Sequence, residues 1–345
     1  MTKRQMFCNQ PWDTDKQIRL RLLLAPPVNI FSWMRENRRF LQTSMVHSVR
    51  PRTIDSTTTN IFLMLGVEVR GTRPQWTCGS FGCVVCLYDT DSSKLRAAKI
   101  FQLRNRTHDY CYRVYRELYW WSKLHSSFVL SLYGTFQIDD RICAVTEDVF
   151  GSLLCYIQTH PFPSEERVCA IMLDLCRALH YLHNKKVAHT GLSMDNILIC
   201  RDLTVKLSGF SFCVNAENPS RSFELSSSER TVYSAPETCH GTIFPFKLDI
   251  YALGVLEFTL MTHKYPFSEQ RVDDDTFLEE RFSIWEKIED YYYRNAKLRN
   301  NEELLKDLLN FYPQYRPRIG MVEQKVRWWK KRLLEGRESP ILSER

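Results

Sequence analysis

The chain lacks any long hydrophobic run: in its 345 residues the longest apolar stretch covers only residues 61–67. A helix that crosses a bilayer needs about 18 or more consecutive apolar residues. Lys3 and Arg4 stand near the N-terminus, but no apolar segment or small-residue cleavage site follows them, as a secretory signal requires. We therefore expect no transmembrane segment and no secretion, and a cytoplasmic or else nuclear location.

The cysteines, although there are 12, do not form a metal-binding pattern. Cys83 and Cys86 have the spacing of zinc ligands, but no second Cys/His pair completes a set of four. Cys169 and Cys176 instead lie seven residues apart on one face of a predicted helix, where a free thiol packs as a small apolar group. We expect buried free cysteines and no zinc.

Charged residues are distributed unevenly along the chain. The net charge is +7, and residues 1–70 hold 11 Lys and Arg against 5 Asp and Glu, so most of the excess lies there. Residues 1–63 show no sustained hydrophobic period and include the Ser/Thr-rich stretch 53–59. We predict a basic, flexible extension over residues 1–63; a short folded module is the alternative.

The first signal of chemistry is a glycine-containing stretch, TCGSFGCVV, at residues 77–85. Gly79 and Gly82 would let backbone N–H groups approach phosphate oxygens closely. Lys99 follows Gly82 by 17 residues on a predicted strand, and Glu117 follows Lys99 by 18 residues in a predicted helix. These residues and spacings resemble those of protein kinases, in which the lysine meets the nucleotide phosphates and pairs with the helix glutamate, and the resemblance implies the same roles for Lys99 and Glu117.

A second set of motifs lies in the C-terminal half of the chain. In order they are HTGLSMDN at 189–196, GFS at 209–211, SAPE at 234–237, DIYALG at 249–254 and YRP at 315–317. Together with the first set, they resemble the protein kinase superfamily over roughly residues 65–330. Among Ser/Thr kinases, the similarity is to the calcium/calmodulin-dependent or testis-specific groups.

This resemblance implies an α+β, two-lobed fold. The kinase-like domain would cover residues 64–330, with a small antiparallel β lobe and one helix at 64–147, a hinge at 147–151 and a larger, mainly helical lobe at 152–330. Residues 331–345 would form a C-terminal tail. The composition, 44% hydrophobic and 25% charged, is that of a globular protein.

The resemblance also implies a nucleotide site. Its residues would be Gly79, Gly82, Val84, Ala97, Lys99, Glu117, Thr146, Asn196 and Leu198. An apolar column of Leu132, Trp121, Phe210 and His189 would join the lobes onto Asp249, and Arg316 would pair with Glu237. We expect ATP to bind weakly.

The groups that perform chemistry in kinases are replaced here. Gly191 stands at the position of the general base, Ser193 at that of the cation beside it and Gly209 at that of the main magnesium ligand. Asn196 would be the residual metal ligand, so we expect little use of Mg²⁺. Thr190 stands at the Arg that in many kinases receives the phosphate of the activation segment, which SAPE at 234–237 would close in this chain. A general base typically contributes about 100- to 10,000-fold in rate.

Three functional hypotheses follow from these losses. The first is a catalytically inactive pseudokinase, hence not an enzyme, that acts as a scaffold or allosteric signalling module. The second is an active or weakly active ATP-dependent Ser/Thr protein kinase with an atypical catalytic loop, in which Asp195 or Asp249 would replace the base. The third is a product under relaxed constraint, without a biochemical role.

Partners are expected to be proteins, either an active kinase or another signalling protein, and no nucleic acid is expected. Residues 325–334 combine Trp and Leu with five cations, which with the basic N-terminal extension favours an acidic partner. The alternative is that Val326, Trp328 and Trp329 close the last helix against the core.

Overall fold

A computed structural model describes the chain over residues 67–69, 83–89, 94–103, 106–138, 141–161, 163–216, 230–239, 243–268, 273–295 and 301–335. The predicted extension at 1–63, Gly79, Gly82 and residues 336–345 of the predicted tail lie outside the described residues. What the sequence predicts for them stays a prediction.

The N-terminal part is an antiparallel sheet with one helix among the described residues. The strands are β1 (Val67–Val69), β2 (Cys83–Asp89), β3 (Lys94–Gln102), β4 (Leu132–Ile138) and β5 (Arg141–Glu147), in the order β1-β2-β3-β5-β4. Helix α1 (His108–Trp121) begins after Thr107, whose hydroxyl accepts a hydrogen bond from Tyr110 N at 3.2 Å. This cap satisfies one of the unpaired N–H groups in the first turn of the helix.

Strand β3 is the centre of this sheet, because it pairs with β2 on one side and β5 on the other. Alternate residues of a strand point to opposite faces, and both faces are buried here: Ala98 and Ile100 on one, Ala97 and Phe101 on the other. Lys99 lies between Ala97 and Phe101 on the second face. The packing of β3 therefore fixes where this lysine emerges.

The C-terminal part is mainly helical. Its helices are α2 (Leu153–Thr159), α3 (Glu165–Asn184), α4 (Pro245–Thr262), α5 (Asp274–Phe282), α6 (Ile284–Arg294), α7 (Glu302–Leu308) and α8 (Ile319–Glu335). Short strands β6 (Gly151–Ser152), β8 (Ile197–Ile199) and β9 (Val205–Leu207) form one sheet, and β7 (Val187–Ala188) pairs with β10 (Val214–Asn215). The α+β, two-lobed fold predicted from the sequence is confirmed.

Helix α4 is the buried axis of the large lobe. Every residue from 248 to 261 is buried, as expected for a helix that is apolar on nearly all faces. Gly254 allows close packing, because a Cβ at this position would lie only 2.8 Å from Leu308 Cβ on α7. The few polar groups that α4 carries into this core, Asp249 and Glu257 among them, must find partners there.

Helix α8 packs its apolar face against α3. Val326 and Trp329 are buried, and Trp329 Nε1 donates a hydrogen bond to Glu165 Oε1 at 2.8 Å. Trp328, by contrast, is 52% exposed and has the Arg332 guanidinium 4.9 Å from its ring centroid. The alternative that these residues close the last helix against the core is therefore right for Val326 and Trp329 and wrong for Trp328.

The eight cysteines from Cys111 to Cys239 are free thiols, and Cys143, Cys169, Cys176 and Cys213 are buried, as the sequence predicts. Burial raises the pKa of the Cys143 thiol to about 12. No group of three or more His, Cys, Asp or Glu in the described ranges could hold a metal ion. Among these same residues, no helix has both the length and the apolar character of a membrane span.

Glu257 is a fully buried carboxyl group on α4. Its Oε1 accepts a hydrogen bond from Asn301 Nδ2 at 2.6 Å, and Tyr292 donates to Asn301 Oδ1 at 2.7 Å. Its Oε2 has no hydrogen-bond partner among the described residues. Burial raises the pKa of Glu257 from the ordinary 4.5 to about 8, and the Asn301 hydrogen bond offsets only part of this rise. The folded protein therefore holds Glu257 in its neutral form at neutral pH.

This buried acid predicts a pH-dependent stability. Between pH 4.5 and about pH 8 the folded state keeps a proton that the unfolded state has released, so the free energy of unfolding falls as pH rises. Glu257→Gln, which resembles the neutral acid and cannot titrate, should flatten this dependence and stabilise the protein at pH 8. Urea unfolding from pH 5 to 8 measures both effects. Glu286→Gln on the exposed face of α6 is the control, and equal slopes for wild type and Glu257→Gln would contradict the prediction.

Candidate functional site

Lys99 of β3 and Glu117 of α1 form an ion pair. Lys99 Nζ lies 2.7 Å from Glu117 Oε1, and the two side chains are 24% and 1% exposed. The ammonium is also 4.9 Å from the centroid of the Phe101 ring, close enough for a cation–π contact. The carboxylate is therefore fixed inside the small lobe while the lysine keeps an accessible side, as a phosphate-binding lysine requires.

Three other predicted nucleotide-site positions lie beside this pair in the sheet. The registers place Val84 opposite Lys99 and Ala97 opposite Thr146. The Thr146 hydroxyl donates to Glu147 O at 2.9 Å, so its polar atom is satisfied within the strand. Leu198 is half-buried on β8 of the other lobe. Gly79 and Gly82 lie beyond the described ranges, so the phosphate-facing glycines stay a prediction.

The loop that follows β7 is held by the carboxylate of Asp249, which is fully buried. Its Oδ2 accepts a hydrogen bond from His189 N at 2.9 Å, and its Oδ1 accepts one from Thr190 N at 2.7 Å. His183 Nε2 lies 2.9 Å from the same Oδ2. Both oxygens are engaged in holding backbone and side chain, so Asp249 is poorly placed to accept a substrate proton.

His189 is held in one neutral form. Its Nε2 lies 2.9 Å from Ser208 O and must donate to this carbonyl, while its Nδ1 accepts a hydrogen bond from Gly191 N at 3.3 Å. Burial lowers the pKa of His189, which favours the same neutral ring. The imidazole therefore links the loop at 189–191 to the segment that contains Gly209.

An aromatic column joins this loop to the small lobe. The ring centroids of His189 and Phe210 are 5.5 Å apart, and those of Phe210 and Trp121 are 6.3 Å apart. Trp121 Nε1 donates to Leu130 O at 2.6 Å, which fixes the top of the column. Leu132 is partly buried and packs against the same core. The residues that the sequence assigned to the column are thus brought together above Asp249.

The position of the general base carries no side chain, and Phe212 fills the space beside it. A Cβ on Gly191 would lie 3.1 Å from Phe212 Cδ2 and 3.2 Å from Phe212 Cβ. Thr190 Oγ1 donates to Phe212 O at 2.7 Å, and the Arg113 guanidinium lies 4.8 Å from the Phe212 ring centroid. Sequence reasoning missed this role of Phe212, because residue types alone do not show that its ring lies beside Gly191.

Asn196 occupies the space that a side chain at Gly209 would need. A Cβ on Gly209 would lie 2.1 Å from Asn196 Oδ1, and Gly209 has a φ of +78°, which favours glycine. Asn196 Nδ2 donates to Gly191 O at 2.7 Å. Magnesium is usually held through one or two carboxylates plus phosphate oxygens. An amide beside a glycine does not fit a carboxylate-held magnesium site.

Ser193 and Asp195 lie in the turn between Gly191 and Asn196. Asn196 N donates to Ser193 O at 3.1 Å, so the residue at the cation position serves the backbone turn. Asp195 is exposed, yet partial burial of its carboxyl raises its pKa. Asp195 is therefore the carboxylate of this turn that remains available to accept a proton.

The end of the activation segment is anchored by a buried ion pair. Arg316 Nη1 and Nη2 donate to Glu237 Oε1 and Oε2 at 2.7 and 2.8 Å, the two-pronged geometry of a strong pair. Near the start of the segment, Arg116 Nε of α1 donates to Ser211 O at 2.5 Å. The first pair is the one that the sequence predicts, and the second contact was not foreseen.

Comparisons with known proteins agree with this geometry. The protein kinase domain family matches residues 77–327. Serine/threonine-protein kinase PAK 5 of Rattus norvegicus is 28% identical over 191 residues, which are 55% of this chain and 26% of that protein. PAK 4 of Homo sapiens is 29% identical over 191 residues, 55% of this chain and 31% of that protein. An Aurora kinase of Dictyostelium discoideum is 27% identical over 243 residues, 69% of this chain and 60% of that protein.

These relatives contradict the expectation that the chain is not an enzyme, and that expectation is wrong: the PAK relatives are named serine/threonine-protein kinases. The physical reason lies in the size of the losses. A missing base lowers a rate by about 100- to 10,000-fold, whereas enzymes accelerate reactions by at least about a million-fold. The names of these relatives give no support to the calcium/calmodulin-dependent or testis-specific groups.

The contact between Gly209 and Asn196 predicts a position that does not tolerate a side chain. Gly209→Ala should cost about 1–3 kcal/mol in the free energy of unfolding, because the new Cβ adds strain at positive φ and displaces the Asn196 amide. Gly320→Ala is the matched control, since a Cβ there has its nearest neighbour, His180 Cε1, at 3.9 Å. Urea unfolding of both variants measures the difference. Equal stability of the two variants would show that Asn196 moves aside freely.

Proposed function

The chain belongs to the family of protein kinase domains, and we propose that it is an ATP-dependent Ser/Thr protein kinase of low turnover, with an atypical catalytic loop. The chain spans 26% of PAK 5 and 31% of PAK 4, so the activity of those whole proteins reaches this chain only as a proposal.

The observation that carries the proposal is the ion pair between Lys99 and Glu117, formed at 2.7 Å. In a kinase, this lysine must be held toward the phosphates by the helix carboxylate before transfer can occur. Trp121 at the end of the same helix contacts Phe210, which in turn contacts His189. These contacts join helix α1 to the loop at 189–196, which is the catalytic loop of the proposed kinase.

The physical chemistry of phosphoryl transfer supports residual activity. Its transition state is loose, so catalysis comes almost entirely from positioning and electrostatic stabilisation rather than from covalent work by the protein. The described site keeps the positioning lysine, the column and the loop on Asp249. The loss of a carboxylate at Gly191 then lowers the rate without removing the rest of the catalysis.

Asp195 is the residue we propose as the substitute base. It lies in the catalytic loop, it is exposed, and the raised pKa of its carboxyl makes it a stronger proton acceptor than an ordinary aspartate. Asp249, the other candidate in the sequence, uses both oxygens for His189, Thr190 and His183.

We further propose that ATP binds weakly and gains little from Mg²⁺, since Asn196 lies beside Gly209 rather than beside a carboxylate. The other substrate would be a Ser- or Thr-containing protein segment. The exposed Trp328 and the cations around it favour an acidic protein partner for the end of α8.

The first test is phosphoryl transfer itself. Wild-type protein free of other kinases should transfer radiolabelled phosphate from ATP to a Ser/Thr peptide library at about 100- to 10,000-fold below the roughly 1–100 s⁻¹ typical of kinases. Lys99→Met should lower this rate by roughly 100-fold, because it removes a positioned cation. Arg294→Met, at a 71% exposed position on α6, is the control. Transfer that is absent in the wild type, or that persists in Lys99→Met, would sink the proposal.

The second test concerns the metal. A thermal-shift titration with ATP should give a small stabilisation that Mg²⁺ increases only slightly, because no carboxylate faces Asn196 at position 209. Asn196→Ala should leave the shift nearly unchanged. A large Mg²⁺-dependent shift that Asn196→Ala abolishes would show that a carboxylate outside this arrangement completes a metal site.

A further inference from the structure

Arg281 of α5 is a buried cation without a close carboxylate partner in the described part of the chain. It is 2% exposed, and the nearest carboxylate oxygen, Glu280 Oε2, lies 3.8 Å from its Nη1. The guanidinium instead lies 3.3 Å from the Phe277 ring centroid and 4.2 Å from the Phe267 ring centroid. Burial lowers the pKa of Arg281 to about 10. A cation desolvated to this extent needs a specific set of acceptors.

The acceptors of Arg281 are mostly backbone carbonyls of the activation segment. Nε donates to Ser234 O at 2.8 Å and Nη2 donates to Thr231 O at 3.3 Å, while Nη1 donates to Phe277 O of its own helix at 3.1 Å. The carbonyls of Ser234 and Thr231 belong to one turn, in which Ser234 N also donates to Thr231 O at 3.0 Å. The planar fork of the guanidinium thus holds both ends of the turn at 231–234.

The same turn reaches the catalytic loop through Tyr233. Met194 N, between Gly191 and Asn196, donates to the Tyr233 hydroxyl at 3.3 Å. The Tyr233 hydroxyl also lies 3.2 Å from that of Tyr265. One chain of contacts therefore runs from Arg281 to the turn, and from the turn to the loop at 189–196, which contains the proposed base Asp195.

A second contact fastens the same segment to α5. Arg230, just before the turn, donates from Nη2 to Asp274 Oδ1 at 2.5 Å, and its guanidinium lies 5.0 Å from the Phe277 ring centroid. Thr190 provides no cation for an activation-segment phosphate, so the segment needs an anchor of another kind. Helix α5 provides such an anchor through Arg281 and Asp274.

We propose that Arg281 is a positioning residue for the acceptor side of the site. It fixes the turn at 231–234, so that the Tyr233 hydroxyl keeps its hydrogen bond with Met194 N. The peptide acceptor would then bind to a surface that is already ordered. The part that concerns the peptide acceptor rests on the proposed kinase function. The contacts themselves do not depend on it.

Amide hydrogen exchange in the full chain tests the contacts without activity. In Arg281→Met the amides of Ser234 and Met194 should exchange roughly tenfold faster, because a turn that loses its cation opens more often. In Tyr233→Phe only the Met194 amide should exchange faster, since the turn keeps Arg281. Amides of β3 should not change in either variant. Arg294→Met, at a 71% exposed position on α6, is the control.

The outcomes separate clearly. Faster exchange at Ser234 with no change at Met194 in Arg281→Met would overturn the link to the catalytic loop. An equal acceleration of all amides, β3 included, would overturn positioning in favour of a general loss of stability. If Arg281→Met does not fold, Arg281→Lys takes its place. Lysine keeps the charge but cannot reproduce the fork, so the same two amides should respond.

Kinetics test the peptide acceptor. In Arg281→Lys the KM for a Ser/Thr peptide substrate should rise several-fold while the KM for ATP stays unchanged, since Lys99 and its surroundings are untouched. A rise in both KM values would contradict positioning of the acceptor side. If neither the wild type nor Arg281→Lys transfers phosphate, the proposed kinase function fails. The exchange measurement still decides whether Arg281 holds the turn at 231–234 and the loop at 189–196.

Discussion

The arrangement of the site depends on the carboxylate of Asp249, which is completely buried in the core of the large lobe. A carboxylate there is tolerated only if hydrogen bonds replace its hydration. His189 N, Thr190 N and His183 Nε2 supply them at 2.7–2.9 Å. These bonds offset the cost of holding Thr190, a non-glycine residue, at a φ of +52°. Loss of Asp249 would therefore release the loop backbone and leave His189 N, Thr190 N and His183 Nε2 without this acceptor in the core.

Gly191 and Gly209 at the site are closely surrounded by neighbouring side chains. Phe212 packs beside Gly191, and Asn196 lies against Gly209. Each neighbour would be in conflict with a side chain at the position beside it. A carboxylate introduced at either position would thus have to displace a residue that contacts the loop at 189–196.

Much of this could be read from the sequence, since motif order predicts which elements meet. The pairs Lys99–Glu117 and Arg316–Glu237 were predicted because each joins two motifs at fixed places in the fold. The role of Phe212 was not, because a second Phe after position 210 has no meaning until its ring is seen beside Gly191. Arg281 was missed for a similar reason: its partners are backbone carbonyls, which leave no trace in residue types. Trp328 and Trp329 show the same limit, since a helical period alone does not decide which of two neighbours faces the core.

The loss of Arg at position 190 and the anchors found elsewhere are best understood together. In a kinase that is switched by phosphorylation, the activation segment is held by a charge that arrives later, so its resting position must be loose. Here Glu237–Arg316, Arg230–Asp274 and the Arg281 carbonyl contacts hold residues 230–237 without any added phosphate. Thr190, meanwhile, uses its hydroxyl to hold Phe212 O. In the described part of the chain, fixed contacts thus provide at residues 230–237 the kind of order that a phosphate provides in such a kinase.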